Sequence, residues 1–200
     1  MKKIAFFDFD GTITSKDSLY DFCFFYFKDR KIEFFYKIVK ALPVLLGYKL
    51  KLINNSIAKE KIFTILFKDT SIDSFKEKAT DYSLNRIDKI VRKDAKEELD
   101  KLKKLNFKIV IVSASLKCWL EPWCNKNNFE LVSTELEIKD KIITGKFKNN
   151  NCYGKEKVLR ILEKYNLEEY DDIYAYGDSE GDKYMLSLAK EKFYKKFKLK

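Results

Sequence analysis

A short apolar segment that ends in two carboxylates constrains this chain more than any other feature. Residues 4–14 read Ile-Ala-Phe-Phe-Asp-Phe-Asp-Gly-Thr-Ile-Thr, an apolar run of β type followed at once by polar residues. A strand that is apolar on both faces is typical of the interior of a parallel sheet. We therefore expect Asp8 and Asp10 at its carboxyl end, where open parallel sheets bind their ligands. Because they are two residues apart, their side chains point the same way.

The loop that follows this strand has the residues for chemistry on an anion. Neighbouring carboxylates favour either a shared proton or a bound cation. Gly11 lets the chain turn so that backbone N–H groups can face an anion. Taken alone, however, the pattern Asp-x-Asp-Gly is equally compatible with a strand and an ordinary polar turn.

Composition bounds the chain size and removes some chemistry. Two hundred residues with 46% hydrophobic content suffice for one domain, or for one domain with a sizeable insertion. Histidine is absent, so acid–base chemistry must use carboxylates. The net charge of +10 comes from dispersed lysines, with arginine only at 30, 86, 92 and 160. Base readout relies on clustered arginine, so we expect no nucleic-acid partner and a solvated lysine-rich surface.

The cysteines and the start of the chain indicate a reducing compartment. The cysteines at 23, 118, 124 and 152 form no Cys-x-x-Cys pair, and no signal-peptide pattern precedes the first strand. Charged residues interrupt the most apolar region before it reaches the roughly 18 uncharged residues of a spanning helix. We therefore expect reduced cysteines and a cytoplasmic protein.

The region after the first loop has helical periodicity and no convincing strand. Its predicted helices cover residues 17–29, 31–42, 44–54, 57–68 and 72–83, with the second ending before Pro43.

An α/β pattern resumes after residue 86. The predicted helices cover residues 93–105, 115–127 with Ser115 as the cap, 154–165 and about 181–189. The predicted strands cover residues 107–113, 129–134 and 172–177, with a hairpin at 135–138 and 142–147 and a basic tail at the end.

Three separate strands are thus predicted to end in polar residues. These residues are Asp8 with Asp10, then Ser113, then Asp178 with Asp182. If the strands are neighbours in one parallel sheet, all five side chains meet at one edge. Clustered carboxylates that keep some waters suit Mg²⁺. The segment from 178 to 182 could be a helix, with both carboxylates on one face, or a loop, because glycines flank it.

Four segments together resemble, in order, the motifs of the haloacid dehalogenase superfamily phosphatases. They are Asp8-Phe-Asp-Gly-Thr12, Val112-Ser-Ala-Ser115, the lysine near 155–157 and Gly177-Asp-Ser-Glu-Gly-Asp182. The longer patterns at 115–123, 134–137 and 152–158 resemble subfamily IB, the subgroup close to phosphoserine phosphatase. The likeness covers residues 4–17 and about 107–186, and the helical region between them matches only in position and length.

The resemblance implies both a fold and an activity. The fold would be α/β, with a Rossmann-like parallel-sheet core formed by residues 1–16 and 87–200 and an inserted all-helical cap of residues 17–86. The activity would be Mg²⁺-dependent hydrolysis of a phosphomonoester.

The resemblance also assigns roles to individual carboxylates. Asp8 would be the nucleophile that forms an aspartyl-phosphate. Asp10 would protonate the leaving alkoxide and then activate water. Mg²⁺ would be held by Asp8, the Asp10 carbonyl and Asp178. Asp182 would hold a metal-bound water or a nearby lysine.

Further residues are implied to bind the phosphate. Ser113 with Ala114 beside it, and the backbone amides of the loop Phe9, Gly11 and Thr12, would contact phosphate oxygens.

One lysine would offset the charge of the pentacoordinate state, and two lysines compete for this role. The local sequence favours Lys157, whereas the distance back from Asp178 favours Lys155. We favour Lys157. Asp17 stands where these phosphatases carry a glutamate that binds the substrate amino group. Asp17 therefore either binds a cation or is an acidic residue that stabilises the N-terminus of a helix.

Two positions depart from the phosphoserine phosphatase pattern. Gly181 stands where asparagine is common, and Ala114 replaces a common glycine. Neither change damages the chemistry, but both loosen the case for phosphoserine as the substrate.

The first two predicted helices are unusually rich in aromatic residues. These residues are Phe22, Phe24, Phe25, Tyr26, Phe27, Phe34, Phe35 and Tyr36, with lysines at 28, 31, 37 and 40 beside them. The rings either pack between the helices and close a dry site over a small metabolite, or meet an anionic membrane surface. We rank a small phosphorylated metabolite first. A lipid phosphate of phosphatidylglycerophosphate type, handled by a peripheral protein at the inner membrane, is second. A non-catalytic basic binding module is the third interpretation.

Overall fold

A parallel sheet forms the centre of the molecule, for which a computed structural model describes residues 1–197. The strands are β1 (Lys3–Phe7), β2 (Phe107–Leu116), β3 (Glu130–Thr134), β4 (Leu136–Lys139), β5 (Ile142–Phe147), β6 (Asp172–Gly177) and β7 (Glu191–Tyr194). Five of them form one parallel sheet in the order β3-β2-β1-β6-β7, and β4 pairs with β5 in a separate antiparallel hairpin.

The first strand is apolar because it is buried on both faces of this sheet. Ile4, Ala5, Phe6 and Phe7 have no exposed surface. Ala5 and Phe7 belong to the apolar core on one side, where the Phe7 ring stacks on Tyr176 at 4.1 Å between centroids. Ile4 and Phe6 belong to a second core on the other side. Such two-sided burial explains the unbroken apolar run that precedes the two carboxylates.

Helices flank the sheet and fill the interval between β1 and β2. They are α1 (Ser18–Tyr26), α2 (Lys31–Lys49), α3 (Asn55–Phe67), α4 (Ile72–Asn85), α5 (Lys93–Lys104), α6 (Lys117–Lys126), α7 (Lys155–Lys164) and α8 (Lys183–Ser187). We call α1 to α4 the inserted helices. The α/β class with a parallel central sheet is confirmed, as is a helical insertion after the first strand.

The predicted break before Pro43 is wrong, because α2 continues through this residue to Lys49. Proline in a helix removes the hydrogen bond to the carbonyl four residues earlier. Here Pro43 and Val39 both lie on the exposed side of the helix. The carbonyl that loses its helical partner can therefore be hydrated, which lowers the cost of keeping the helix intact.

Three boundaries in the second half also differ from the predictions. Strand β2 continues through Ser115 to Leu116, so Ser115 does not cap α6. The predicted helix at 181–189 is a 3₁₀ turn at Glu180–Asp182 followed by the short α8.

Part of the predicted basic tail is a strand. Strand β7 pairs with β6, and its Phe193 ring stacks on Tyr176 at 4.4 Å. The other three residues of β7 are exposed and two of them are charged, which suits an edge strand. The rest of the predicted tail reaches residues 198–200, which lie outside the described residues.

The hairpin β4–β5 packs on the inserted helices. The Asp69 amide donates to the Ile143 carbonyl at 3.0 Å, and the Ile72 amide donates to the Lys141 carbonyl at 2.9 Å. Gly145 has φ +86°, and a Cβ there would lie 2.6 Å from the Thr64 Cα. Glycine is therefore required for this close contact, and the hairpin extends the inserted region. The division of the chain into core and cap at residues 17 and 86 stays a prediction.

Two further expectations concern the cysteines and the membrane. All four cysteines are free, and three of them are buried. Within residues 1–197, no helix is both long and apolar enough to cross a bilayer.

Candidate active site

The ends of β1, β2 and β6 bring the predicted residues together at one edge of the sheet. These strands are adjacent, with β1 in the middle, so the loops that follow them meet. Carboxylate oxygens of Asp8, Asp178 and Asp182 lie within 4.8 Å of one another. The convergence predicted from three separate sequence segments is thus present in the fold.

Asp8 is buried, and both of its carboxylate oxygens have partners. Oδ1 accepts a hydrogen bond from Lys157 Nζ at 2.6 Å. Oδ2 lies 3.1 Å from Thr12 Oγ1, which also lies 3.2 Å from Asp178 Oδ1. Burial raises the pKa of Asp8 to about 7, against the opposing effect of Lys157. A cation beside Asp8 would favour its ionised form.

Lys157 lies between two carboxylates in the interior. Its side chain is 2% exposed, and Nζ donates to Asp8 Oδ1 and, at 2.7 Å, to Asp182 Oδ1. Burial by itself would lower the pKa of Lys157, but the charges of Asp8 and Asp182 outweigh burial and raise it. Lys157 therefore keeps its positive charge at the site.

Lys155 points elsewhere because it lies two residues earlier on the same helix. Two residues in a helix are about 200° apart, so these lysines lie on opposite faces of α7. Lys155 is exposed, with Nζ 5.6 Å from the ring centroid of Tyr184. The structure brings Lys157 and not Lys155 to Asp8, while the catalytic role of either lysine stays a prediction.

Asp182 holds the loop after β6 as well as the lysine. Its Oδ2 accepts hydrogen bonds from the Asp178 amide at 3.1 Å, the Ser179 amide at 2.9 Å and Ser179 Oγ at 2.7 Å. These bonds and Lys157 lower the pKa of Asp182, although burial alone would raise it. Because residues 180–182 form a 3₁₀ turn, the loop alternative describes this segment better than the helix alternative.

Glycines at this edge leave no room for a side chain. Gly11 has φ +84°, and a Cβ there would lie 2.8 Å from Asp178 Oδ2. A Cβ on Gly181 would lie 2.2 Å from the Tyr153 ring. The ring of Tyr153 therefore takes the space that an asparagine at 181 would need, which gives a physical reason for this departure from the family pattern.

Asp10 is oriented by two serines. Its Oδ1 accepts from the Ser18 amide at 2.7 Å, and its Oδ2 accepts from Ser115 Oγ at 2.5 Å. The two serine hydroxyls lie 2.9 Å apart, and Trp119 Nε1 donates to Ser18 Oγ at 3.3 Å. The Asp10 side chain is thus held apart from the three clustered carboxylates, which agrees with a metal contact through its carbonyl alone. Nothing in the sequence pattern pointed to Ser18 in this network.

The predicted phosphate-binding residues fall into two groups. Ser113 and Ala114 line a cavity at this edge, and Ser113 Oγ accepts from the Ser115 amide at 3.0 Å, which leaves its O–H free to donate to a ligand. Phe9 has no exposed surface, and its ring packs on Trp123 at 5.3 Å. Because the Thr12 hydroxyl lies between two carboxylates, the predicted role of this loop stays with the backbone amides of Phe9, Gly11 and Thr12.

The cavity has a volume of about 180 Å³ and two kinds of wall. The sheet edge and the loops near it contribute Asp8, Asp10, Ser113, Ala114, Tyr153, Lys157, Ser179 and Asp182. The inserted helices and the loop before them contribute Asp17, Leu19, Tyr20, Leu45, Tyr48, Asn55, Ala58, Lys59 and Ile62.

Asp17 and Lys59 place opposite charges in the second wall. Asp17 caps α1 by accepting from the amides of Leu19 and Tyr20 at 2.9 and 3.3 Å, so the capping interpretation is correct and the substrate-binding one stays a prediction. Lys59 Nζ donates to the Ala114 carbonyl at 2.8 Å. Burial lowers the pKa of Lys59 and raises that of Asp17. Lys59 was missed, because no motif distinguishes it from the other lysines of the chain.

The donor set at the sheet edge fits a hard divalent cation. Three clustered carboxylates face one lysine, which leaves a net negative charge in a largely buried site. Carboxylate oxygens are the ligands that such cations prefer. Asp8 and Asp178 could serve as direct ligands, and Asp182, which bonds to Lys157 and to the loop after β6, would fix the lysine beside them.

Comparisons with known proteins agree with this geometry. Residues 5–187 match the family described as haloacid dehalogenase-like hydrolase. Protein CicA of Caulobacter vibrioides is 30% identical over 194 residues, which cover 96% of this chain and 85% of that protein.

Two solved structures share the fold. A Bordetella pertussis Tohama I protein of unknown function has a TM-score of 0.80 at 18% identity, covering 94% of this chain and 87% of its own. A substrate-bound phosphoserine phosphatase complex has a TM-score of 0.65 at 19% identity, covering 97% and 86%. At these identities the likeness concerns the fold.

Proposed function

Since the chain belongs to the haloacid dehalogenase-like hydrolase family, we propose that it is a phosphatase that hydrolyses a phosphomonoester through an aspartyl-phosphate at Asp8. Membership in this family was predicted from the four motifs and is confirmed. The observation that carries the proposal is the buried ion pair of Asp8 and Lys157 at the carboxyl end of β1, facing the cavity.

The first step uses a carboxylate oxygen of Asp8 as the nucleophile. It attacks phosphorus, the bond between phosphorus and the ester oxygen breaks, and the leaving alkoxide takes a proton from Asp10. In the second step a water molecule gives a proton to Asp10 and attacks phosphorus. The bond between phosphorus and Asp8 then breaks, which releases inorganic phosphate and restores both carboxyl groups.

The surrounding residues support these steps by fixing positions and charges. The Ser18 amide and the Ser115 hydroxyl orient Asp10 for proton transfer. Lys157 would stabilise the negative charge that builds up near Asp8 in the pentacoordinate state, and Ser113 can donate a hydrogen bond to a phosphate oxygen. Fixed groups of this kind need no reorganisation during the reaction.

We propose Mg²⁺ as the cofactor. It would be held by Asp8, Asp178 and the Asp10 carbonyl, and when bound it would neutralise phosphate charge that otherwise repels the attacking carboxylate. The clustered carboxylate oxygens support this assignment. In proteins Mg²⁺ is usually bound by few carboxylates and keeps several waters, whereas Ca²⁺ takes more oxygen ligands from the protein. A site with few carboxylate ligands therefore favours Mg²⁺ over Ca²⁺.

We also propose that residues 17–86 form the cap and that residues 1–16 and 87–200 form the core. The cavity supports this division, because one wall comes from the sheet edge and the other from the inserted helices.

The preferred substrate is a small phosphorylated metabolite of phosphoserine type. A cavity of about 180 Å³ has room for a phosphate and a few further atoms. Asp17 could bind an amino group and Lys59 an acidic group of such a substrate. A phosphoserine phosphatase that shares the fold shows that the fold is compatible with a substrate of this class.

A lipid phosphate is the second candidate, and one observation favours it. Several aromatic rings of the inserted helices pack inside, as Phe22 and Phe27 do, but others are exposed. Phe24, Phe35 and Tyr36 are 66%, 71% and 60% exposed. These rings do not close a dry site over a metabolite. A non-catalytic binding module is disfavoured, because the motif side chains are assembled and paired.

The test is turnover of p-nitrophenyl phosphate by the wild type and by Asp8→Asn. The wild type should be silent in EDTA and recover with Mg²⁺, and Asp8→Asn should be inactive with an unchanged circular dichroism spectrum. Wild-type turnover by Asp8→Asn, or full activity in chelator, would overturn the assignment. A panel of phosphoserine, sugar phosphates, nucleotides and phosphatidylglycerophosphate-type lipids then ranks the substrates.

A further inference from the structure

Helix α2 is the least buried long element of the inserted region. Of its nineteen residues, only Ala41 is fully buried. The helix packs against α3, and Ile38 and Leu45 on one of its sides are partly buried. The opposite side is exposed, and it is apolar rather than polar.

The exposed apolar side chains follow a helical repeat. Ile32, Phe35, Tyr36, Val39, Leu42, Pro43, Leu46 and Leu50 are all exposed, and each lies three or four positions from another member of the set. At 100° per residue they span about one third of the helix circumference. We call this set the α2 stripe. It runs the length of the helix, about 28 Å at 1.5 Å per residue.

Basic side chains border the α2 stripe on both sides. Lys31 and Lys49 fall on one flank of the helix and Lys40 on the other, and all three are exposed. The only acidic residue in α2, Glu33, is already paired with Arg30 and Lys37. The flanks therefore present uncompensated positive charge around an apolar centre.

The helix that carries the α2 stripe also forms part of the wall of the active-site cavity. A shallow apolar groove on α2 is lined by Val39, Leu42, Leu45, Leu46 and others. Leu45 also lines the active-site cavity, together with Tyr48 one turn later. The groove and the cavity thus share Leu45, and α2 contributes to the walls of both.

We propose that the α2 stripe is a docking face for the surface of an anionic lipid bilayer. An apolar stripe with lysines on both flanks matches a helix that lies in the interface, with apolar side chains among the acyl chains and ammonium groups at the phosphates. Docking by itself does not depend on the proposed phosphatase activity. Its consequence does rest on the proposed function: docking through α2 would bring a cavity that the same helix lines near the bilayer, so that a phosphomonoester carried by a lipid headgroup becomes a candidate substrate.

Charge favours the bilayer over a second copy of this chain. In a symmetric pairing of two α2 stripes, parallel or antiparallel, the flanking lysines of one copy would face those of the other. Such like-charge contacts oppose association, whereas an anionic surface neutralises them.

Co-sedimentation with vesicles tests the docking face. The wild type should bind vesicles of phosphatidylcholine with phosphatidylglycerol, and not vesicles of phosphatidylcholine alone. Leu42→Asp combined with Leu46→Asp should lower the partition coefficient roughly tenfold or more. The matched control is Leu159→Asp with Leu162→Asp, two exposed leucines on α7, and it should bind like the wild type.

A second pair of variants tests the charges. Lys40→Glu with Lys49→Glu should lower binding roughly tenfold or more, since each lysine near an anionic surface contributes about 1 kcal/mol. The control is Lys93→Glu with Lys104→Glu, at exposed positions of α5, which makes the same change in net charge. It should bind vesicles several times more tightly than the variant with Lys40→Glu and Lys49→Glu. Equal losses in both variants would show that net charge alone drives binding and would overturn the assigned face.

The remaining outcomes separate docking from catalysis. Asp8→Asn should bind vesicles like the wild type, so lost turnover with retained binding tests the function alone. The α2 stripe variant should keep turnover of p-nitrophenyl phosphate and lose turnover of a vesicle-borne phosphomonoester. Sedimentation velocity completes the test: a dimer that requires Leu42 and Leu46, without vesicle binding, would assign the stripe to a second copy instead.

Discussion

The two walls of the cavity differ in how firmly their residues are fixed. On the sheet edge, Asp8, Lys157 and Asp182 are buried and each is held by at least two hydrogen bonds. On the inserted helices, Asp17 and Lys59 each bond to the backbone and share the cavity. In the first wall, the pairing of the strands fixes where the residues at the strand ends lie. The second depends on how helices happen to pack.

This difference separates reaction chemistry from substrate choice. A parallel sheet brings strand ends together whatever the rest of the chain does, so the chemistry can be placed by a few short motifs. The inserted helices decide what else fits in the cavity, and their side chains carry no fixed pattern. Substitutions on the two walls should therefore have different effects, which the following experiments measure.

The largest effect is expected for Lys157→Ala. It leaves Asp8 and Asp182 as buried carboxylates without their shared cation, which should lower the free energy of unfolding by about 3–5 kcal/mol in EDTA. The activation free energy of turnover should rise by about 2–4 kcal/mol, because stabilisation of the transition state is lost. The control Lys155→Ala removes an exposed lysine of the same helix and should change stability by less than about 0.5 kcal/mol. Urea unfolding and turnover of p-nitrophenyl phosphate measure both, and equal effects at 155 and 157 would refute the assignment.

Lys59→Ala should change selectivity more than chemistry. For a phosphorylated substrate with a second acidic group, kcat/KM should fall because one charged hydrogen bond is lost. The loss corresponds to about 1.5–3 kcal/mol of activation free energy. Turnover of p-nitrophenyl phosphate, which lacks that group, should stay within about threefold, since the sheet-edge residues are unchanged. Lys61→Ala, at an exposed position of α3, is the control. An equal loss on both substrates would mean that Lys59 acts in the chemistry, and would weaken the contrast between the walls.

A smaller effect is expected for Gly181→Asn, which restores the residue common in similar phosphatases. The new Cβ would clash with the Tyr153 ring, so the variant should lose about 1–3 kcal/mol of stability. In Gly181→Asn with Tyr153→Ala the clash is gone, and the two single effects should not add. Thermal unfolding of the four proteins gives the coupling energy. Additive effects would show that Tyr153 does not explain the glycine.

The smallest effect concerns the packing of the inserted helices. Arg86, at the end of α4, donates two hydrogen bonds of 3.0 Å to Asp21 on α1. These bonds lower the pKa of Asp21 below its ordinary value of 3.8. Asp21→Asn should lower the free energy of unfolding by about 1 kcal/mol. The effect is small because Arg86 is partly exposed and solvent weakens the ion pair.

The pH dependence of this effect follows from the direction of the shift. A depressed carboxyl pKa stabilises the fold above the ordinary value, and this contribution is lost as pH falls through the lowered value. The difference in stability between the wild type and Asp21→Asn should therefore be full near pH 6 and shrink in acid. Urea unfolding across this range measures it, with Asp100→Asn on α5 as the control. A difference that grows in acid would contradict the pairing.

The sequence predicts much of the sheet edge and little of the inserted wall. Asp8, Ser113 and Asp178 follow apolar runs that only a central strand explains, so their meeting follows from the fold class. Lys157 could be chosen over Lys155 from local sequence, but its burial became evident only from the face it occupies on α7.

The misses have physical reasons of their own. Lys59 is one lysine among many, and its position depends on the packing of α3 rather than on a local pattern. A proline usually ends a helix. Pro43 lies on the exposed side of α2, where water can hydrate the unpaired carbonyl, so the helix stays intact at a lower free-energy cost. The strand β7 requires an edge of the sheet to pair with, which no local propensity reveals.

Chemical trapping of the intermediate tests the central claim most directly. Borohydride added during turnover reduces an aspartyl-phosphate to homoserine, which peptide mass spectrometry locates in the sequence. The account predicts homoserine at position 8, dependent on substrate and on Mg²⁺, and none in Asp8→Asn. Homoserine at another aspartate, or steady turnover with none at position 8, would contradict it.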